Sequence, residues 1–339
     1  MKVAIFWDGS LGSISYYVKN GTAYSFKDDK PYMYNHTISP QCFCNTQNWN
    51  FFWDTGYFLN LSEWFNNDKK LPDLDLDVIF YACDRHGLRD QYYDEYTVER
   101  IKEYYPKAKI VGYLKEVYVS TERFPETFDN RIKFLKDCDY IHAEATSTMK
   151  ELPEFLKIEK LVGKKLNFSN QPINIDYYYE HFYSSEKING IYAYLPNPMH
   201  RRGQTYEFAE YLGNKYNLPI QHKPLQQGQK FDYLNQIDFV NLWRSYLYHI
   251  NLDPVVHHPG GQIIQVASVG SLNIGGCNES HQVLYPETAT CDLKILEEKF
   301  DEYIKSPEKV AKDIQYAWEK LNETYSFNTV RKQLEDLYG

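Results

Sequence analysis

The sequence predicts an α/β protein made of two open parallel-sheet domains in tandem, closed by C-terminal helices. Three observations carry this. Short apolar runs alternate with longer amphipathic stretches in both halves of the chain. Two of the runs, 77–83 (DVIFYAC) and 108–114 (AKIVGYL), lack the polar alternation of a one-sided strand and suit strands buried on both faces of a parallel sheet. The length, 339 residues, suits two domains of roughly 150 residues each.

Taken in order, residues 2–7 read as a first strand, followed by the turn Asp8-Gly9-Ser10-Leu11-Gly12-Ser13. This N-terminal run ends at an acid and lacks the length and cleavage site of a secretory signal. Residues 31–70 are aromatic and polar with several turn signals, and read as irregular or inserted structure. After the strand 77–83, helical spacing over 92–105 puts Val98, Ile101, Tyr104 and Tyr105 on one side. The strand 108–114, a helix over 130–136 and a strand over 139–143 complete a β-α-β-α-β series, which calls for parallel strands and right-handed crossovers. The second half repeats the pattern, with strands 189–195, 218–222, 247–252 and 271–274. Helices over 204–216, 239–246 and 262–269 separate them, and Phe208 and Leu212 face inward on the first. From 293 to 337 the pattern is helical, broken near Ser306-Pro307 and Ser326-Phe327-Asn328. The polar stretch 183–187 marks the boundary. The expected domains are therefore 1–183, 184–322, and a terminal helix in 323–339 that packs back on the first.

Composition excludes several classes. Hydrophobic residues are 43% and charged residues 24%, which argues against a disordered chain. No window reaches the ~18 to 20 consecutive apolar residues of a membrane span. The net charge of -9 disfavours long-range attraction to DNA or anionic lipid, while allowing a local basic site. A basic strip (Arg100, Lys102, Lys107, Lys109, Lys115, Arg123, Arg131, Lys133, Lys136) is interleaved with acids and reads as a solvated face. The 32 Tyr, 19 Phe and 6 Trp provide faces that stack on sugars or bases, although AT-rich coding gives the same bias. Six cysteines, at 42, 44, 83, 138, 277 and 291, contain no second C-x-C pair and read as reduced thiols of a cytoplasmic protein. The D-x-D runs at 73–77 and 137–139 directly precede strands, at the wrong end of a sheet for a ligand.

Ligands of open α/β sheets bind outside the carboxyl ends of the strands. The most informative segment at such an end is His257-His258-Pro259-Gly260-Gly261-Gln262-Ile263-Ile264-Gln265-Val266-Ala267-Ser268-Val269-Gly270. Pro259 and two glycines precede a short apolar helix. The glycines let a backbone approach a ligand, and the helix N-terminus offers N–H groups to a phosphate. Gln262 and Gln265, three apart, share about one face, and Gln265 suits a ribose hydroxyl. The alternative is a tight strand-to-helix turn with no ligand. Upstream, Met199-His200-Arg201-Arg202-Gly203 opens a helix with two arginines, unfavourable to the helix dipole unless an anion sits there.

On these residues the chain resembles the GT-B glycosyltransferases that use nucleotide sugars, especially those like family four. Their C-terminal domain carries E-G-F-G-x-x-x-x-E-A-x-A-x-G-x-P-V-V. Here His257 stands at the first Glu, Gly260 at the inner Gly, Gln265 at the second Glu, Ala267 one place short of the second Ala, and Gly270 at the closing Gly. Arg201, Arg202 and Gly203 are similar to the family's basic residue and glycine that meet the donor pyrophosphate. Tyr194 stands where the family has an arginine. Residues 172–176, and the terminal stretch from Tyr325, also resemble the family, so the likeness covers about 170–339, whereas residues 1–160 agree only in pattern. The glycine spacing of Gly260, Gly261 and Gly270 also resembles the nucleotide-sugar 2-epimerases, whose paired glutamates are Ile264 and Gln265 here. In layout the chain is similar to the phage enzymes that glycosylate hydroxymethylated DNA bases.

The resemblance implies two Rossmann-like domains facing a cleft. The co-substrate would be a UDP- or GDP-linked sugar, held by Arg201, Arg202, Gly203, His257, Gly260, Gly261, Gln262 and Gln265 without a required metal or other cofactor. The acceptor would be a glycan, a small molecule or a modified DNA base. Glu116, just after the strand ending at Leu114, is a candidate general base. Asp84 and His86, after the strand 77–83, are candidates to meet acceptor or donor sugar. Trp49, Trp53 and Trp64, with Phe51 and Phe52, read as packing of an insertion, with an acceptor platform as the alternative. A catalytically silent sugar-nucleotide binder remains a further reading, because both acids of the motif are replaced.

Overall fold

The computed structural model describes residues 1–7, 16–19, 22–25, 42, 56–60, 75–82, 97–114, 128–144, 152–193, 202–222, 236–254 and 260–339. They form two compact units. Among the described residues the first unit takes those up to Pro172 and from Phe327 to Gly339, and the second takes Ile173–Ser326.

In the first unit the chain forms β1 (Val3–Trp7), an antiparallel hairpin of β2 (Tyr16–Lys19) and β3 (Thr22–Ser25), β4 (Gly56–Asn60) and β5 (Val78–Ala82). Then come α1 (Val98–Tyr104), β6 (Lys109–Leu114), α2 (Phe128–Asp137), β7 (Tyr140–Glu144), α3 (Pro153–Val162) and β8 (Leu166–Ser169). Six strands lie parallel in the order β4-β1-β5-β6-β7-β8. The apolar run of β5 has its expected cause: Val78, Ile79, Phe80 and Tyr81 are all fully buried. Thr97 caps α1 by accepting from the Arg100 N–H (3.2 Å). Val98, Ile101 and Tyr105 of that segment are buried, but Tyr104 is 40% exposed. Positions 98, 101 and 105 follow the 3-and-4 spacing of one face, and 104 falls off it. Within the stretch read as irregular, 56–60 is a strand, paired in parallel with β1 at the sheet edge.

The two D-x-D runs serve the amino end of this sheet. Asp77 accepts from the Lys2 N–H (2.6 Å) and Asp75 pairs with the Lys2 ammonium (2.9 Å). Asp139 accepts from the Ile110 N–H (2.7 Å) and pairs with Lys102 (2.9 Å). The basic strip is not one solvated face: Arg131 is 1% exposed, and Lys109 donates to the carbonyls of Tyr338 and Gly339.

The last helix, α11 (Phe327–Tyr338), belongs to the first unit. Val330, Leu334 and Tyr338 form its buried face. The Tyr338 hydroxyl lies 2.7 Å from His142 Nδ1, and His142 Nε2 lies 2.9 Å from the Ser169 hydroxyl, so one buried ring joins α11, β7 and β8. Burial holds His142 neutral, its pKa lowered to about 3. Tyr338→Phe strands a buried ring nitrogen. It is expected to cost the first unit about 1–3 kcal/mol in urea unfolding at pH 7; unchanged stability would mean that the hydroxyl does not support the ring.

The second unit contains α4 (Ile175–Phe182), β9 (Ile188–Ala193), α5 (Arg202–Tyr216), β10 (Ile220–His222), α6 (Gln236–Trp243) and β11 (Tyr246–Ile250). It continues with α7 (Gly261–Ser268), β12 (Leu272–Ile274), α8 (Glu279–Leu284), a 3₁₀ turn (Pro286–Thr288), α9 (Leu293–Lys305) and α10 (Pro307–Tyr325). Four parallel strands run in the order β10-β9-β11-β12. The helical break expected at Ser306-Pro307 is a cap: the Ser306 side chain accepts from the Lys309 N–H and Pro307 opens α10. Ser326 breaks the next helix in extended conformation and bridges Ile173, while the Ile173 N–H donates to the Tyr325 carbonyl (2.8 Å).

The units divide after Pro172 and after Ser326, not near residues 183 and 322. The polar stretch 183–187 is an internal turn of the second unit, closed by Ser184 donating to the Glu186 carbonyl (2.9 Å). The Tyr183 ring lies against Gly270, where an added Cβ would come within 2.6 Å of it. Lys187 donates to the carbonyls of Arg244 and Val269 (both 2.6 Å), tying the ends of α6 and α7. Polarity there reflects a turn with packed side chains rather than a linker.

Candidate functional site

The second sheet has a topological switch point. From β9 the chain moves outward to β10 on one side, then returns past β9 to β11 and β12 on the other. In such sheets the crevice at the carboxyl ends of the two strands flanking the switch receives ligands. Here those strands are β9 and β11. The helix α5 begins at Arg202 after β9, and α7 begins at Gly261 after β11. Thr205, fully buried in the first turns of α5, accepts from the Leu252 N–H just past β11 (3.3 Å). One sheet edge therefore holds the starts of both helices that the sequence singled out.

The start of α7 is built for close approach. Gly260 is its N-terminal cap, with φ 74° and ψ 50°, in the left-handed region that glycine tolerates. A Cβ there would come within 2.3 Å of Asn278 Oδ1. Gly260 has no side chain with which to cap α7, and no acid stands in the helix's first turn. A glycine-led N-terminal turn without an acid favours an anion through its N–H groups and the helix dipole. Gln262, in that turn, accepts at Oε1 from Asn251 Nδ2 (3.2 Å), while its buried Nε2 has no hydrogen-bond partner among the described residues. Gln265, three positions on, is 8% exposed and lies on the packed part of the helix.

A buried polar network stands behind this edge. Asn273 of β12 donates from Nδ2 to the Gly275 carbonyl (3.0 Å) and to His281 Nε2 (2.9 Å). The ring accepts at Nε2, which places its proton on Nδ1. Burial lowers the His281 pKa to about 3, so the imidazole is neutral. Asn278 caps α8 by accepting from the His281 N–H (3.0 Å). The chain between β12 and α8 is thereby held by side chains, and Gly260 rests against it through Asn278.

Of the residues singled out in the sequence, the structure brings Gly260, Gly261 and Gln262 together at one helix start, with Gln265 one turn on. Arg202 and Gly203 open α5 at the same sheet edge, where the helix backbone is described. Arg201, His257, Glu116, Asp84 and His86 lie outside the described residues, as do Trp49, Trp53 and Trp64. Sequence reasoning missed Thr205, Asn251, Asn273 and Asn278, whose partners Leu252, Gln262, His281 and Gly260 meet them only once the strands pack at one edge. It also missed Glu144, 1% exposed at the carboxyl end of β7. The run Tyr140-Ile141-His142-Ala143-Glu144, a strand pattern ending on an acid, carried that signal.

No protein-family model matches the sequence. No curated protein sequence matches it. Solved structures do match. HepE from Anabaena, in complex with UDP and glucose, superposes with a TM-score of 0.55 at 9% identity, over 99% of each chain. An alpha-glucosyltransferase in complex with UDP-glucose and DNA containing an abasic site gives 0.54 at 10% identity, over 99% of this chain and 98% of that one. A glycosyltransferase from Rickettsia africae gives 0.51 at 12% identity, over 99% and 97%. With two parallel α/β units and these neighbours, the chain has the GT-B fold of glycosyltransferases.

Proposed function

We propose that this protein is a glycosyltransferase that moves a sugar from a nucleotide-sugar donor to an acceptor hydroxyl. The observation that carries the reading is the pair of helix starts, α5 and the glycine-led α7, at the switch point of the second sheet. HepE and the alpha-glucosyltransferase, which share the fold, were solved with UDP or UDP-glucose. In this reading Arg201 and Arg202 bind the donor diphosphate together with the α7 N-terminus, and Gly260 and Gly261 let the backbone approach it. Gln262 offers its Nε2 donor to a ligand oxygen, while Gln265 and His257 occupy the family's two acidic positions. The fixed N–H groups and arginines stabilise the departing nucleoside diphosphate, the role that a metal fills elsewhere. The bond from the anomeric carbon to the diphosphate breaks as the bond to the acceptor oxygen forms. In an inverting transfer a carboxylate takes the acceptor proton; Glu116, two residues beyond Leu114 in sequence, and the buried Glu144, the last residue of β7, are the candidates for it. Asp84 and His86, which come next in sequence after β5, are the further candidates to meet the acceptor or the donor sugar.

The test is a thermal-shift panel of UDP, UDP-glucose and GDP-linked sugars. A donor at about 100 times its Kd stabilises the folded protein by about 2.7 kcal/mol, a rise of roughly 5 °C. Arg202→Ala and Gln262→Ala are expected to abolish the rise. Mass analysis after incubation with a glycan, a small-molecule or a hydroxymethylated-DNA acceptor separates a new glycoside from an epimerised donor or from binding alone. No shift with any member of the panel would overturn the reading.

A further inference from the structure

Cys277 and Cys291 are 14 residues apart in sequence, and their sulfurs lie 3.5 Å apart. Both side chains are partly exposed, whereas Cys42 and Cys138 are fully buried. Burial also pushes the Cys42 thiol well above its ordinary pKa, away from the reactive thiolate. The backbone holds the pair in place: the Gly276 N–H, one residue before Cys277, donates to the carbonyl of Thr290, one residue before Cys291 (2.9 Å). The Cys277 N–H is itself anchored on the Asp253 carbonyl (2.8 Å). Each cysteine precedes a helix cap, Asn278 of α8 and Asp292 of α9, and both caps are formed. The two sulfurs therefore lie in contact on backbone segments joined by a hydrogen bond, the placement from which a disulfide closes.

We propose that Cys277 and Cys291 form a reactive dithiol site that low-molecular-weight disulfides convert to an intramolecular disulfide. The thiolate of Cys277 or Cys291 attacks a sulfur of oxidised glutathione, forms a mixed disulfide and expels one glutathione thiolate. The other cysteine, deprotonated, attacks the protein sulfur of that mixed disulfide and expels the second glutathione. The protein loses two hydrogens and two electrons, and the glutathione disulfide gains both. The closed loop runs through α8 and the 3₁₀ turn, so the bond staples the segment before α8 to the start of α9. This site is independent of the proposed donor chemistry.

The experiment equilibrates the full chain with glutathione buffers of increasing oxidised fraction, quenches with acid, alkylates and maps the peptides. The expected result is one disulfide joining Cys277 and Cys291, with loss of two alkylatable thiols per chain while Cys42 and Cys138 stay reduced. Dithiothreitol is expected to restore both thiols. Cys277→Ser and Cys291→Ser are each expected to stop at a glutathione adduct on the remaining cysteine. Each is also expected to lose the ability of the wild type to hold phenylarsine oxide, a dithiol reagent, against excess monothiol. A wild type that accumulates the mixed disulfide without closing it, or keeps both thiols in excess oxidised glutathione, would overturn the proposal. The mapping of wild-type protein decides even if a serine variant fails to fold.

Discussion

Lowering the pH from 6.5 to 4.5 is expected to destabilise the second unit by up to about 5 kcal/mol. His249 and His281 are both fully buried there. Burial is the main cause that lowers each pKa to about 3 from an ordinary 6.5, and for His249 the nearby Lys187 charge adds to it. A histidine depressed in the folded state takes up its proton first in the unfolded chain, so stability is full above 6.5 and is lost as pH falls toward 3. Each such proton changes stability by about 1.4 kcal/mol per pH unit, and two give about 2.7. The carboxylates with lowered pKa values, such as Glu287 and Glu297, add to the loss in the same direction only as pH approaches 4.5, where the unfolded chain takes up their protons, so histidine sets the slope in the upper part of the window. Among the described residues the first unit holds one such ring, His142, and should show about half the slope. Urea unfolding followed across this window checks both.

His249→Phe sharpens the prediction. The carbonyls of Trp243 and Tyr246 oppose the fall in its pKa, yet neither ring nitrogen completes a hydrogen bond among the described residues. The ring stands edge-on to Trp243 at 5.1 Å and beside Tyr192 at 5.4 Å, surroundings that suit an aromatic hydrocarbon. Phenylalanine should keep stability at pH 7 within about 1 kcal/mol, since removing unpaired polar groups offsets the tighter fit. It should also halve the acid slope of the second unit. An unaltered slope would mean that His249 titrates normally and is not sealed from water.

The second large effect is expected at Gly260. Gly260→Ala puts a Cβ on a residue with φ 74°, at a cost of about 1–2 kcal/mol. The same Cβ would displace the Asn278 side chain, which caps α8, for about 1 kcal/mol more. A total of about 2–3 kcal/mol is expected, measured on the second unit by urea unfolding. Gly260→Asn separates the two causes, because Asn tolerates the left-handed region but carries the same Cβ. It should recover the backbone part and not the contact part. If Gly260→Ala were as stable as the wild type, the α7 start would have to adopt another backbone conformation, and its N–H groups would no longer converge on one point.

Much of the fold was legible because burial leaves a local trace. The run DVIFYAC, Phe208 and Leu212 on one helical face, and the Ser306-Pro307 break each depend on a few adjacent residues, and each marks an element found in place. The edge strand 56–60 was not legible, because its pairing partner β1 lies some fifty residues earlier and its own stretch is rich in turn signals. The helix over 175–182 was hidden for another reason: Ile175, Tyr177, Tyr178 and Phe182 are buried in it, but its aromatic and polar content reads like the flanking loops.

The sequence by itself determined the α/β class, the parallel strands, and the glycine-led helix start at Gly260 and Gly261, because periodicity and left-handed turns are written in neighbouring residues. Only the tertiary structure decided what surrounds them. It set Thr205 against Leu252, Asn278 against Gly260 and Cys277 against Cys291, and it assigned Tyr338 to the core of the first unit beside His142. Those contacts join residues between 14 and 196 positions apart. No local pattern encodes such distances. They follow from the order in which the strands pack, which brings chain ends and loop starts to a common edge.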